Sequence, residues 1–276
     1  MTKNIILNSL KQSFALIWKN KSLFVLLFIM QITFFFIFSL ISYKYVPKMI
    51  ESQKSIFDYL AKQKLDEISV AQNIMQQKSI LGDDPLMISR NFNEIIKNFR
   101  LYLVYIFLLL IAFMSISWAI TNKLVYNINL KKLSKYLFKI LIILLFYLGL
   151  IFTFFYSLLN ISFTRIAVGA SQIFTKYIPF LIFSIILVYF MFVSLSLLHK
   201  TDLKNIMQKT LFLGIKKAHY VASVYLINLF LFALSIFLLY NFIEKSILVL
   251  LPSLLLMIFS FVFGRIFVVN VIERLS

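Results

Sequence analysis

Apolar residues in this chain come in long unbroken runs rather than in alternation. Six segments carry no formally charged residue for long enough to cross a bilayer: Ser22–Tyr43, Leu101–Asn122, Ile140–Thr164, Tyr177–Leu198, His219–Ile243 and Ser246–Gly264. A helix needs about 20 such residues to cross about 30 Å of hydrocarbon. Barrel strands would alternate apolar and polar positions, so continuous runs predict helices. The first run, SLFVLLFIMQITFFFIFSLISY, contains fifteen Leu, Ile, Phe or Val residues. Insertion worth roughly 5 kcal/mol or more outweighs its one amide and its hydroxyls. That run is too long for a signal peptide, and no small-residue cleavage site follows it, so it reads as a retained first span. Pro252, about two turns into the last run, is expected to kink or thin that span without preventing it.

Between the spans the pattern turns amphipathic. In the N-terminal segment, 1–21, Ile6, Leu10, Phe14 and Ile17 form a stripe, with Lys3, Lys11 and Lys19 elsewhere on the helix. In 123–139, Leu124, Ile128 and Leu133 recur among Lys131, Lys132 and Lys135. In 199–218, Leu203, Ile206, Met207 and Leu211 interleave with Lys204 and Lys209, and Lys216 and Lys217 follow. All three read as interfacial helices whose lysines reach toward lipid head groups. Ser13–Phe24 (SFALIWKNKSLF) also lies in register over Thr210–Val221 (TLFLGIKKAHYV), as an internal repeat of one interfacial helix and a pair of spans would. The segment 44–100 is the sizeable water-exposed part: a helical pattern after Pro47, a turn at Leu81–Pro85, then a helix from Met87 running into the second span. It is too short to bury an independent core and reads as a small extracytoplasmic helical cap. Residues 165–176 form an outer loop, 244–245 a tight outer turn and 265–276 a tail. The fold class expected is all-α: a polytopic membrane protein of six spans.

Charge fixes the orientation. One face carries 16 basic residues against Asp202 and Glu273, which leaves +14 of the net +18 there. On the other face the long connection holds nine basic and seven acidic residues, and the short ones hold only Arg165, Lys176 and Lys245 as bases. Lys- and Arg-rich connections stay in the cytoplasm, so both termini are expected inside, in a cell membrane. A basic face beside anionic inner-leaflet lipid accounts for the charge without nucleic acid. Of 276 residues 62% are hydrophobic and 14% charged, whereas a soluble domain carries about a quarter charged residues. With no Cys, the chain excludes disulfides, thiolate metal sites and cysteine nucleophiles. Its richness in Lys, Ile, Asn and Phe points to a prokaryotic source.

Catalytic chemistry leaves no mark. No Asp or Glu falls in the six runs, and Lys139 and Arg265 sit near cytoplasmic ends where snorkelling accounts for them. His199 and His219 flank the second basic segment without further ligands. No metalloprotease, nucleophile-elbow or phosphate-loop motif occurs. No enzyme activity, cofactor or metal is therefore expected. Trp18 and Trp118, with Tyr43, Tyr45, Tyr126, Tyr136 and Tyr220, read as interfacial anchors. Gln31 and Asn228, the two amides within spans, are the candidates for a polar bundle interior.

SFALIWKNKSLF, LKKLSKYLFKIL (Leu130–Leu141) and LKNIMQKTLFLGIKK (Leu203–Lys217), each a basic amphipathic stretch leading into a span, resemble the membrane domain attached to some glycerophosphodiester phosphodiesterases and stand-alone prokaryotic and archaeal membrane proteins of that type. The catalytic barrel of those enzymes and its acidic and histidine ligands are absent from this chain. The resemblance implies a non-catalytic, lipid-embedded module. Two functions follow as expectations: a scaffold or accessory protein binding lipid or a membrane partner, or a transporter or permease subunit with a path through its bundle.

Overall fold

The computed structural model describes residues 2–62, 84, 86–158, 170–242 and 247–276. Among these residues the structure is entirely helical in its regular elements: α1 Thr2–Lys19, α2 Lys21–Lys62, α3 Leu86–Tyr126, α4 Leu130–Leu158, α5 Ala170–Leu197, α6 Leu203–Lys216, α7 Ala218–Phe242 and α8 Ile247–Leu275. Six of them (α2, α3, α4, α5, α7 and α8) are long and apolar enough to cross a membrane. The protein is a helical multi-pass membrane protein.

Helix ends differ from the apolar runs in instructive ways. Pro47 lies inside α2 rather than ending it, and Pro179 and Pro252 likewise lie inside α5 and α8. A proline costs a long helix one backbone bond, here from the carbonyl four residues earlier, and the rest of the ladder carries the helix across. The described parts of 44–100 are therefore extensions of α2 and α3, and the expected run from Met87 into the second span is one helix from Leu86. Residues 63–83, which include part of the expected turn at Leu81–Pro85, lie outside the described residues, as does the tight turn at 244–245. The outer loop at 165–176 is partly helical, because α5 begins at Ala170.

Two compact units make up the fold. The first comprises Met1–Phe36, Leu110–Ile151 and Ile182–Ser276, and the second Ile37–Leu109 and Phe152–Leu181. In the first unit, α8 is the central element and α7 packs antiparallel along it. Seven consecutive residues, Ile266 to Ile272, are each at most 5% exposed, so this part of α8 is enclosed on every side. Residues 265–275 thus belong to α8, with 266–272 buried, correcting their reading as a tail. Arg265 ended the uncharged run, but the stretch between it and Glu273, IFVVNVI, is helical and apolar apart from Asn270. Leu27, Leu124, Val262 and Ile266 form a buried core that Leu16, Ile17, Leu23 and Phe24 cover.

Of the three amphipathic segments, two are separate helices. α1 ends at Lys19 and α6 is bounded by Asp202 and Lys217. The third is not separate. Its break falls at Asn127, which adopts φ 51°, and α4 then runs from Leu130 straight through the span. Asn tolerates the left-handed conformation because its short side chain bonds locally, so the boundary is set by Asn127 and not by the last lysine.

In the second unit aromatic contacts hold the extended helices together. Tyr45 stacks on Tyr105 at 5.6 Å, Ser42 Oγ and Tyr102 Oη lie 3.2 Å apart, and the Tyr59 hydroxyl accepts from the Asp84 backbone N–H at 3.0 Å. Asp84 and Arg90 form an ion pair. Phe107 meets Phe152 at 4.8 Å.

Candidate functional site

The candidate site is a cavity of about 500 Å³ inside the first unit, and its polar part begins at Gly264 and Arg265 of α8. Lacking a Cβ, Gly264 lets α7 approach: an added Cβ would stand 3.1 Å from the Asn228 amide. Asn228 Nδ2 donates to the Gly264 carbonyl at 3.4 Å. The next residue, Arg265, donates from Nη2 to Gln31 Oε1 at 3.2 Å, tying α8 to α2. Gln31 and Asn228, separated by almost 200 residues in sequence, therefore line one cavity through two neighbouring residues of α8.

Trp118 and Tyr225 complete the polar side. Trp118 is 1% exposed, and its Nε1 has no hydrogen-bond partner among the described residues. The same holds for the Tyr225 hydroxyl, Asn228 Oδ1 and Arg265 Nε. Arg265 forms no ion pair among the described residues, where the pairs are Arg90–Asp84 and Lys139–Asp202. The rest of the wall is aromatic and aliphatic, with Phe232 on Phe261 at 5.0 Å and Phe34 on Phe113 at 5.8 Å. A single cation with unpaired donors thus faces an apolar chamber, where a lone buried charge is costly unless paired.

These positions correct two sequence expectations. Arg265 lines the cavity instead of snorkelling from a span end. Trp118 is enclosed, and Tyr45 and Tyr136, at 5% and 8% exposure, are packed in rather than anchoring at a surface. Trp118, Tyr225 and Arg265 went unrecognised as site residues. The signal for Arg265 was present: it follows Gly264 and precedes the apolar residues Ile266–Val269.

The lysines lie elsewhere. α1 docks through Ser9 and Ser13, both fully buried: Ser13 Oγ accepts from Asn270 Nδ2 at 2.7 Å and donates to the Ser9 carbonyl at 2.8 Å. The stripe of Ile6, Leu10, Phe14 and Ile17 lies beside this seam: Ile17 packs on the buried core, Ile6 and Leu10 are half-buried, and the half-exposed Phe14 meets the Phe263 ring at 4.9 Å. Leu7, Lys11 and Trp18, spaced four and seven residues apart, share the outward face, and Lys21 stands over the Trp18 ring at 4.3 Å. α6 buries Ile206, Thr210, Leu213 and Gly214. Thr210 bonds Ser194, which bonds Tyr147, and Tyr189 donates to the Gly214 carbonyl at 2.8 Å. Its outward face carries Met207, Leu211, Phe212 and Ile215 with Lys204, Lys209 and Lys216, and Lys217 follows at its end. Lys19 and Lys135 are also exposed, and the side chains of Lys131 and Lys132 lie outside the described residues. His199 stacks on Tyr126 at 4.2 Å, and no group of three metal-binding side chains converges among the described residues.

Fold and site together define a six-span helical membrane protein with an arginine-centred cavity and exposed basic, apolar helix faces. The chain matches no family model, no curated protein and no solved structure.

Proposed function

We propose that this protein is a non-enzymatic scaffold or accessory protein of a prokaryotic cell membrane, with both termini in the cytoplasm, that binds anionic inner-leaflet lipid or a membrane partner. The outward faces of α1 and α6 carry the reading. Each combines exposed large apolar side chains with lysines: Leu7 and Trp18 with Lys11, and Met207, Leu211, Phe212 and Ile215 with Lys204, Lys209 and Lys216. Hydrocarbon solvates the first group and anionic head groups the second. The resemblance of these segments to the phosphodiesterase membrane domain supports a lipid-embedded role and brings no catalysis with it.

Native mass spectrometry of the protein released from nanodiscs of mixed phosphatidylglycerol and phosphatidylcholine tests this. Each lysine near the surface is worth about 1 kcal/mol of attraction to anionic lipid. Replacing Lys204, Lys209, Lys216 and Lys217 together by Gln should reduce retained phosphatidylglycerol several-fold. Equal retention of both lipids before and after the change would remove the reading.

A transporter or permease subunit is the second reading, favoured by the cavity that Gln31, Asn228 and Arg265 share. Single cysteines at Phe34, Ser117 and Ser260 that react with a small aqueous thiol reagent would support a water-filled path. Complete protection at all three would count against it.

A further inference from the structure

We propose that the cavity around Arg265 is a binding site for an anionic amphiphile, its carboxylate or phosphate oxygens on the arginine and its hydrocarbon along Phe34, Phe113, Phe232 and Phe261. The inference stands apart from the surface lipid binding proposed above.

Three observations converge on it. The first is charge. Arg265 spends Nη2 on the neutral Gln31 Oε1 and keeps Nε without a partner, while no carboxylate pairs with it among the described residues. A guanidinium within a span is several kcal/mol less stable without a counter-charge, and its fork of N–H donors matches the oxygens of a carboxylate or phosphate.

The second is the rest of the polar wall. Trp118 Nε1 and Tyr225 Oη are buried donors without partners among the described residues, and both residues line the same chamber as Arg265. An indole N–H donates only, so it calls for an acceptor. Native buried polar groups are nearly all satisfied, so several unpartnered donors around one chamber suit a bound group with acceptors. Asn228 Oδ1, an acceptor without a partner among the described residues, suits a hydroxyl carried by the same head group.

The third is shape and access. At about 500 Å³ the cavity falls within the roughly 300–1,000 Å³ of small-molecule sites. Leu229 and Phe261 line it and are also 60% and 39% exposed, so it reaches the apolar surface of the bundle. Entry through that surface suits a molecule already dissolved in the bilayer, and the phenylalanine wall suits its chain. A small hydrophilic anion would gain nothing from four phenylalanines.

Trp118 provides the reporter. The chain has two tryptophans, so Trp18→Phe leaves Trp118 as the single indole. The full-length protein in detergent micelles is titrated with dibromostearate, with phosphatidylglycerol brominated on its chains, and with phosphatidylcholine brominated likewise. Bromine quenches on near contact. Saturable quenching of Trp118 is expected from at least one anionic probe at about a tenfold lower mole fraction than from phosphatidylcholine, as a charge-assisted hydrogen bond would give. Which anionic probe acts distinguishes a free carboxylate from a phospholipid head group. Arg265→Lys should keep the preference and Arg265→Gln should abolish it. The head-group comparison in the protein with Arg265 intact decides the matter even if the glutamine variant does not fold. Equal quenching by all three probes, or none by any, overturns the proposal. So does loss of quenching on replacing Lys204, Lys209, Lys216 and Lys217 by Gln, because that outcome places the binding at the surface lysines.

Discussion

At the scale of single residues, the first unit is fastened by small and amide side chains. Asn270 is fully buried in an apolar stretch of α8 and spends Nδ2 on Ser13. Interhelical hydrogen bonds of this kind contribute about 0.6–2 kcal/mol in membrane proteins. Asn270→Ala should therefore lower stability by about 1 kcal/mol and speed hydrogen exchange throughout Thr2–Lys19, with little change in α7. Unaltered exchange in α1 would show that its apolar flank holds it instead. Gly264 makes a comparable point at the cavity. A β-carbon there presses on Asn228 at 3.1 Å, so Gly264→Ala should displace the amide and break its bond to the Gly264 carbonyl. The measurement is thermal unfolding with Asn228→Ala as reference. Gly264→Ala should cost about 1–3 kcal/mol in the parent and markedly less in the Asn228→Ala background, where the obstructing side chain is gone.

At the scale of elements, sequence and structure part company where charge and helix geometry give different boundaries. Six spans were legible because about twenty consecutive apolar residues is a strong signal that few other elements imitate. Gln31 and Asn228 were legible as candidates because an amide in such a run stands out. Their meeting was not, since it depends on Gly264 and Arg265 lying one residue apart on a third helix. The last helix was cut short at Gly264 because Arg265 carries a charge, yet helix formation has no objection to arginine. The segment before the third span was read as a separate interfacial helix by its lysines, whereas Asn127 sets the break and α4 begins at Leu130. α6 is its own element, Leu203–Lys216, and its close docking depends on Gly214. A β-carbon there would come within 2.7 Å of the Phe190 ring. Gly214→Val should cost about 1–3 kcal/mol by overpacking and make the backbone between Leu203 and Lys216 more open to proteolysis. If cleavage of α6 stays as slow as before, Phe190 has swung aside and the docking does not rest on this glycine.

At the scale of the whole molecule, the sequence and the structure answer different questions. The structure supplies the helices and their burial, while the sidedness comes from the lysines alone. With six spans the N-terminal helix, the start of α4 and α6 share one side of the membrane, and the proposed orientation, argued from the positive-inside tendency, puts that side in the cytoplasm. The lipid-binding reading depends on this, because anionic lipid and the exposed lysines of α1 and α6 must meet in the same leaflet. The chain contains no cysteine, so single cysteines can be introduced without a background. Asn8, Ser134, Gln208 and Gln53 are exposed and suit replacement. The decisive measurement is labelling of these four single-cysteine variants with a membrane-impermeant maleimide, in intact cells and after the membrane is opened. Both termini inside predicts that Asn8→Cys, Ser134→Cys and Gln208→Cys react only in opened cells, and that Gln53→Cys reacts in intact ones. Reaction of Gln208→Cys or Ser134→Cys in intact cells would put a basic helix on the outer face and contradict the account.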